Sequence, residues 1–172
     1  MFESRIVKFY ENRAHDNFGR SLIEMQHYNH EQLENDHKYI QWMFPSSIKS
    51  VFNQSAPVLK RKDVEYIKQS EKIKENMKIS LMVITDFLGL AKDYVENKYF
   101  VKNSRVEKWL TPENHNFIRL SRILRSLILF DLKDEAQLLL NCLTEIYNNG
   151  YKDIIGDSYY HWLASMKNGH II

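Results

Sequence analysis

Thr111-Pro112-Glu113-Asn114-His115-Asn116-Phe117-Ile118-Arg119-Leu120-Ser121-Arg122-Ile123-Leu124-Arg125-Ser126-Leu127-Ile128-Leu129-Phe130 decides how this chain is read. Leu120, Ile123, Leu124 and Leu127 recur at three- and four-residue spacing, the period of one helix face rather than the alternation of a strand. Thr111 stands where a capping hydroxyl is wanted, Pro112 at the first helical place and Glu113 facing the positive end of the dipole. The spacing predicts a helix from Pro112 to Phe130, with Arg119, Arg122 and Arg125 opposite its apolar face.

The same period extends in both directions. Downstream, Ala136, Leu139, Leu140, Leu143 and Ile146 predict a helix over 131–148, stopped by Asn149-Gly150. Asp157 then starts a short last helix carrying Tyr160, Trp162, Leu163 and Met166. Upstream, residues 90–110 are less regular and predict one short helix anchored by Val106, Trp109 and Leu110. Val64, Ile67, Met77, Leu81, Ile84, Phe87 and Leu88 predict a single long helix from Arg61, ended by Gly89. Residues 3–11 predict a first helix and Ser21 to Tyr28 a second. Asn29-His30-Glu31-Gln32 is a capping box that opens a third, running to Trp42. Pro45 disfavours helix at Phe44, and residues 46–57 read as a connecting loop. Five glycines and three prolines leave long periodic segments intact. The expected fold is all-α, a single compact helical domain of about seven or eight helices over residues 1–172.

At 172 residues and 20.7 kDa, with 44% hydrophobic residues, the chain has material for one core. A lone cysteine, Cys142, excludes an internal disulfide framework, and the pattern Leu139-Leu140-Asn141-Cys142-Leu143 places it on a core-facing stripe as an inert thiol. There is no signal-peptide run at the amino terminus and no apolar stretch of membrane-spanning length, so a cytoplasmic, non-membrane protein is expected. The formal charge of +2 is too mild to imply nucleic acid or membrane by itself.

Two local constellations could carry chemistry. Glu24, His27, His30, Glu34 and His37 contain Glu-x-x-His twice, a spacing that shares a helix face and suits a transition metal. The predicted break at Asn29 separates His27 from His30, so the bland alternative is solvated histidines with His37 at the core edge, and no metal or cofactor is expected. Residues 101–130 hold Lys102, Arg105, Lys108, Arg119, Arg122 and Arg125 against Glu107 and Glu113. Arginines there could meet phosphate, carboxylate or nucleic acid, or form an ordinary solvated face. A Gly-x-Ser-x-Gly elbow, a phosphate-cradling glycine loop and a His-Glu-x-x-His pair are all missing from the sequence, which removes the usual entry points to catalysis.

The segment Leu33-Glu34-Asn35-Asp36-His37-Lys38-Tyr39-Ile40-Gln41-Trp42-Met43-Phe44-Pro45 resembles the signature of the amino-terminal domain family of the opioid growth factor receptor, departing only at Met43. His115-Asn116-Phe117-Ile118-Arg119-Leu120-Ser121-Arg122-Ile123-Leu124-Arg125-Ser126-Leu127 is similar to a second block of that family. Ile6-Val7-Lys8-Phe9-Tyr10 and Ser55-Ala56-Pro57-Val58-Leu59 are similar too, so the resemblance runs from about Ile6 to Tyr147. It implies a small domain-only member of a family whose namesake binds the pentapeptide Met-enkephalin and acts as a nuclear-associated negative regulator of growth.

The two blocks share polar residues that a core does not require. Glu34, His37, Gln41 and Trp42 come from one; His115, Asn116, Arg119 and Arg122 come from the other. One expectation is a cleft in which Arg119 and Arg122 hold an anionic group, His37, His115, Gln41 and Asn116 hydrogen-bond it, and Trp42 forms a wall. The other is a buried polar network that fixes helix against helix. The expected function is non-enzymatic binding of a peptide or small anionic ligand. The alternatives are an enzyme, metal-dependent through His27, His30 and His37 or acting on a phosphorylated substrate, and nucleic-acid binding through the Arg119, Arg122 and Arg125 face.

Overall fold

Capping residues divide the chain into short helices in the computed structural model, which describes residues 4–167. Glu3, where the first helix was expected to begin, and the two ends of the 1–172 domain lie outside the described residues. Ser4 caps α1 (Arg5–Tyr10), Ser21 closes a reciprocal capping box on α2 (Leu22–Gln26), and Asn29 does the same for α3 (His30–Asn35). In each, a side-chain oxygen accepts an amide hydrogen that the first turn leaves unpaired.

Two expected helices are divided, both by a polar residue that draws the chain out of the helix. The helix expected from Asn29 to Trp42 stops at Asn35. Asp36 takes an extended conformation, accepts the Lys38 amide at 2.8 Å on its own carboxylate and pairs with Arg20. Helix then resumes as α4 (Ile40–Met43). The long helix expected from Arg61 is α5 (Arg61–Gln69) and α6 (Glu71–Phe87), parted at Ser70, whose hydroxyl accepts the Ile73 amide at 3.3 Å. Short polar side chains compete for backbone partners in this way.

Gly89 ends α6 with φ +75°, and the chain returns as an antiparallel hairpin, β1 (Leu90–Asp93) against β2 (Lys98–Val101), in register Leu90 to Val101 and Asp93 to Lys98. This corrects the expectation of helix alone over 90–110. Asp93 accepts the amides of Val95 and Glu96 at the turn, and Tyr99 is the buried member of Lys98-Tyr99-Phe100-Val101. A 3₁₀ turn, Ser104–Lys108, follows and delivers the expected anchors Val106, Trp109 and Leu110 to the interior.

The deciding helix, α7 (Asn116–Leu129), starts four residues later than its sequence predicts. Glu113 lies at φ +58° and Asn114 donates its amide to the Thr111 carbonyl at 3.3 Å, so Thr111-Pro112-Glu113 form a turn rather than a first helical turn. Asn114 supplies the oxygen that accepts the Asn116 amide, at 3.0 Å. α8 (Lys133–Ile146) ends, as expected, around Asn149 and Gly150, the latter at φ +106°. α9 (Lys152–Ile155) and α10 (Ser158–Lys167) complete the described chain. α10 and α8 both pack on α7, and the Trp162 indole donates to the Phe117 carbonyl at 2.9 Å. One hydrophobic cluster runs from Ile6 to Trp162 through Phe9, Trp42, Phe44, Trp109 and Phe130. Tyr10, fully buried in it, donates its hydroxyl to the Met43 carbonyl. α7 is thus central, not a surface helix: Arg119 is 7% exposed, while Ile118 is the residue it turns outward. A mostly helical architecture with one small hairpin is the result.

Candidate functional site

The two sequence blocks with unexplained polar residues meet where the start of α7 passes the end of α3. A six-residue helix leaves its last carbonyls without intrahelical donors, and Arg119 supplies them. Its guanidinium donates to Leu33 O at 2.7 Å, Glu34 O at 3.2 Å and Asp36 O at 3.2 Å, and to Asn116 Oδ1 at 3.2 Å. The positive charge also faces the negative end of the α3 dipole and lies 5.5 Å from the Tyr39 ring centroid. Arg122 acts alike on α4, donating to Phe44 O at 3.1 Å. Arg119 was expected to hold an anionic group; its donors reach three backbone carbonyls and Asn116 Oδ1.

Above Arg119 is a second layer of contacts. Asn116 donates to Glu34 Oε2 at 3.3 Å, and His115 Nε2 lies 3.1 Å from Glu34 Oε1. His37 stands edge-on to His115, ring centroids 5.5 Å apart. Burial holds the His115 imidazole below its ordinary range, assisted by the Arg119 charge and opposed by Glu34. Glu34, His37, His115, Asn116 and Arg119 are therefore brought together. Gln41 meets them only through the His37 carbonyl, to which its amide donates at 3.2 Å, while its oxygen accepts from Asn53 at 3.4 Å in the 46–57 loop; Trp42 is core, 5.1 Å from the Phe9 ring.

A cleft of about 320 Å³ opens beside this cluster, between α3, the end of α6, the 3₁₀ turn and the start of α7. Glu31 and Glu34 of α3 line it, as do Arg105 and Lys108 of the 3₁₀ turn, together with His30, Phe87, Trp109 and Asn116. Arg105 is fixed by a bond to Phe87 O at 3.0 Å and lies over the Phe87 ring, and the Trp109 indole donates to Leu88 O at 2.8 Å. Sequence reasoning saw Arg105 and Lys108 only as part of a basic run and missed Phe87, Trp109 and Glu31 as lining. No spacing signal could have joined them, because the wall comes from four separate elements.

The histidines weighed as metal ligands have separate partners. His27 bonds Ile23 O at 2.8 Å, four residues back in its own chain, and His30 pairs with Asp86 at 3.0 Å. Among the described residues no three His, Cys, Asp or Glu side chains gather as a metal would need. The expected solvated arginine face of α7 is not formed, since Arg119 is buried and Arg122 and Arg125 are half-buried. Burial pushes the Cys142 thiol up to about 12, far from a thiolate nucleophile. No helix of the described residues is long and apolar enough to cross a membrane.

Comparison with known proteins places this architecture. The family model described as the opioid growth factor receptor (OGFr) conserved region matches residues 3–169. The opioid growth factor receptor of Rattus norvegicus is 30% identical over 131 residues, 70% of this chain and 22% of that protein. The Homo sapiens receptor is 31% identical over 105 residues, 58% of this chain and 15% of that protein. Opioid growth factor receptor-like protein 1 of Xenopus tropicalis is 30% identical over 100 residues, 57% of this chain and 19% of that protein. The chain thus spans about a fifth of the length of these relatives. No solved structure matches it. With the family model covering nearly every residue, the chain belongs to the family of the opioid growth factor receptor conserved region.

Proposed function

We propose that this domain is a binding module that takes a short peptide in the cleft between α3 and the 3₁₀ turn. The observation that carries the reading is the charge of the lining: two acids, Glu31 and Glu34, from α3 and two cations, Arg105 and Lys108, from the 3₁₀ turn, with the aromatic Phe87 and Trp109. A short peptide carries an ammonium at one end, a carboxylate at the other and side chains between, which matches such a cleft in charge and polarity. The volume falls at the low end of small-ligand sites, enough for a few residues of peptide. The names of the relatives describe receptors of a growth factor, and a peptide ligand agrees with that.

The test is titration of the purified domain with Met-enkephalin, the pentapeptide implied by the resemblance, alongside the same peptide acetylated and amidated at its ends. Glu34→Gln and Lys108→Gln are expected to weaken binding about tenfold each, the range of one charge-assisted hydrogen bond. Blocking the peptide termini is expected to weaken it further. Binding indifferent to both substitutions and to the termini would remove the cleft from consideration.

A further inference from the structure

Two arginines on α7 lack the partner that a buried cation needs. Arg122 and Arg125 are three residues apart and so stand one above the other on a single helix face. Both are half-buried. Other arginines have partners: Arg20 has Asp16 and Asp36, Arg61 has Glu65, and the buried Arg119 has the carbonyls of Leu33, Glu34 and Asp36. Among the described residues no carboxylate reaches Arg122 or Arg125. Arg122 gives one donor to Phe44 O at 3.1 Å, and the Arg125 Nε is closed off from solvent with no acceptor at all.

The strain of this arrangement registers in both groups. Burial, and then the charge of Arg125, bring the Arg122 guanidinium down to about 10, and burial lowers Arg125 as well. A desolvated cation without a counter-charge is among the costlier features a fold can carry, and two on one turn add repulsion. Guanidinium forks side by side are also the donor set that grips oxyanions bidentately. Two positive charges call for two negative ones. A carboxylate would leave one cation uncompensated, whereas a phosphate group carries −1.5 to −2 near neutral pH.

We propose that Arg122 and Arg125 form an anion site that takes a dianionic phosphate group, as free phosphate or on a small phosphate monoester. This site is separate from the peptide cleft, since Arg122 is nearly two turns along α7 from Asn116. Its occupant supplies the counter-charge that both guanidinium groups lack and cancels the repulsion between the two arginines.

Thermal denaturation and calorimetric titration at matched ionic strength test it, using inorganic phosphate, O-phosphoserine and acetate. At ten times its Kd, phosphate is expected to raise Tm by ~3–5 °C, and acetate to leave it unchanged. Arg125→Gln is expected to abolish the phosphate shift while melting no lower than the parent in its absence, because it deletes an unpaired charge. Arg125→Lys keeps the charge without the fork, and about tenfold weaker binding is expected. A larger response to O-phosphoserine identifies a monoester as the occupant; equal responses identify the free anion. An unshifted parent protein, or an Arg125→Gln variant that responds as the parent does, overturns the site. Glu34→Gln, in the cleft, is expected to retain the full phosphate response, which separates this proposal from the previous one.

Discussion

Arg119 on α7 donates to the carbonyl of Leu33 at 2.7 Å, across 86 residues of chain, and in doing so finishes a helix to which it does not belong. Helices of six and four residues are too short to persist on their own propensity. α3 and α4 are held by what packs on them, and two arginines of one helix terminate both. This links the two sequence blocks physically: the second block carries the donors, and the first carries the carbonyls they satisfy.

Replacing Arg119 by Met keeps the bulk and removes the donors. Glu34 O and Asp36 O then lose their part-buried donor and Leu33 O keeps only the Tyr39 hydroxyl, and a loss of about 1–3 kcal/mol is expected. Urea denaturation followed by circular dichroism measures it; a loss under about 0.5 kcal/mol would show that the bonds contribute little. Leu33 itself should show lower amide protection in the variant, since α3 frays first.

His115 sets a dependence on pH. Its folded-state imidazole titrates below the unfolded value of about 6.5, chiefly through burial. Between those two values the unfolded chain holds a proton that the folded one does not, so stability rises with pH there. The contribution is intact above 6.5 and is lost as pH falls through the folded value. His115→Gln should flatten this part of the curve, read from urea midpoints between pH 5 and 8; parallel curves for parent and variant would contradict it.

Gly89 and Gly19 separate two costs of a side chain. Both have positive φ, +75° and +77°. At Gly89 an added Cβ would sit 2.8 Å from the Val106 amide nitrogen and 3.0 Å from the Arg105 Cβ, while at Gly19 nothing lies within 4 Å. Gly19→Ala should cost ~1 kcal/mol from backbone conformation alone. Gly89→Ala should cost at least twice that and shift the 3₁₀ turn bearing Arg105 and Lys108. Equal losses in denaturation would mean that the turn yields freely.

Cys142 is 3% exposed and its thiol is pushed up to about 12. Alkylation by iodoacetamide at pH 8 should therefore proceed only through unfolding, its rate rising in step with the unfolded fraction as urea is added. Fast labelling of the native protein would place the thiol at the surface instead.

The helical periodicity of Leu120, Ile123, Leu124 and Leu127, the capping box at Asn29 and the stop at Asn149-Gly150 were legible because each depends on residues within a turn or two of one another. The hairpin after Gly89 was not, since four-residue strands carry little periodic signal and Tyr99 turns inward only because the core is there to receive it. Nor was the start of α7, where Asn114 outcompetes Thr111 for the capping role once Glu113 adopts φ +58°.

The same division runs through the site. Glu34, His37, His115, Asn116 and Arg119 could be nominated from the chain as polar groups that a core does not need, and they do converge. Trp42 and Gln41 share their block yet face the core and the 46–57 loop, because the chain leaves the helix at Asp36 and α4 starts on a new heading. Sequence alone determined the mostly helical class, the capping box at Asn29 and the kinship of the two blocks, all of which rest on local spacing. Tertiary structure alone decided that the arginines of α7 turn inward. Whether a guanidinium meets solvent, a carbonyl or no partner at all is set by elements tens of residues away, and no local pattern encodes that distance.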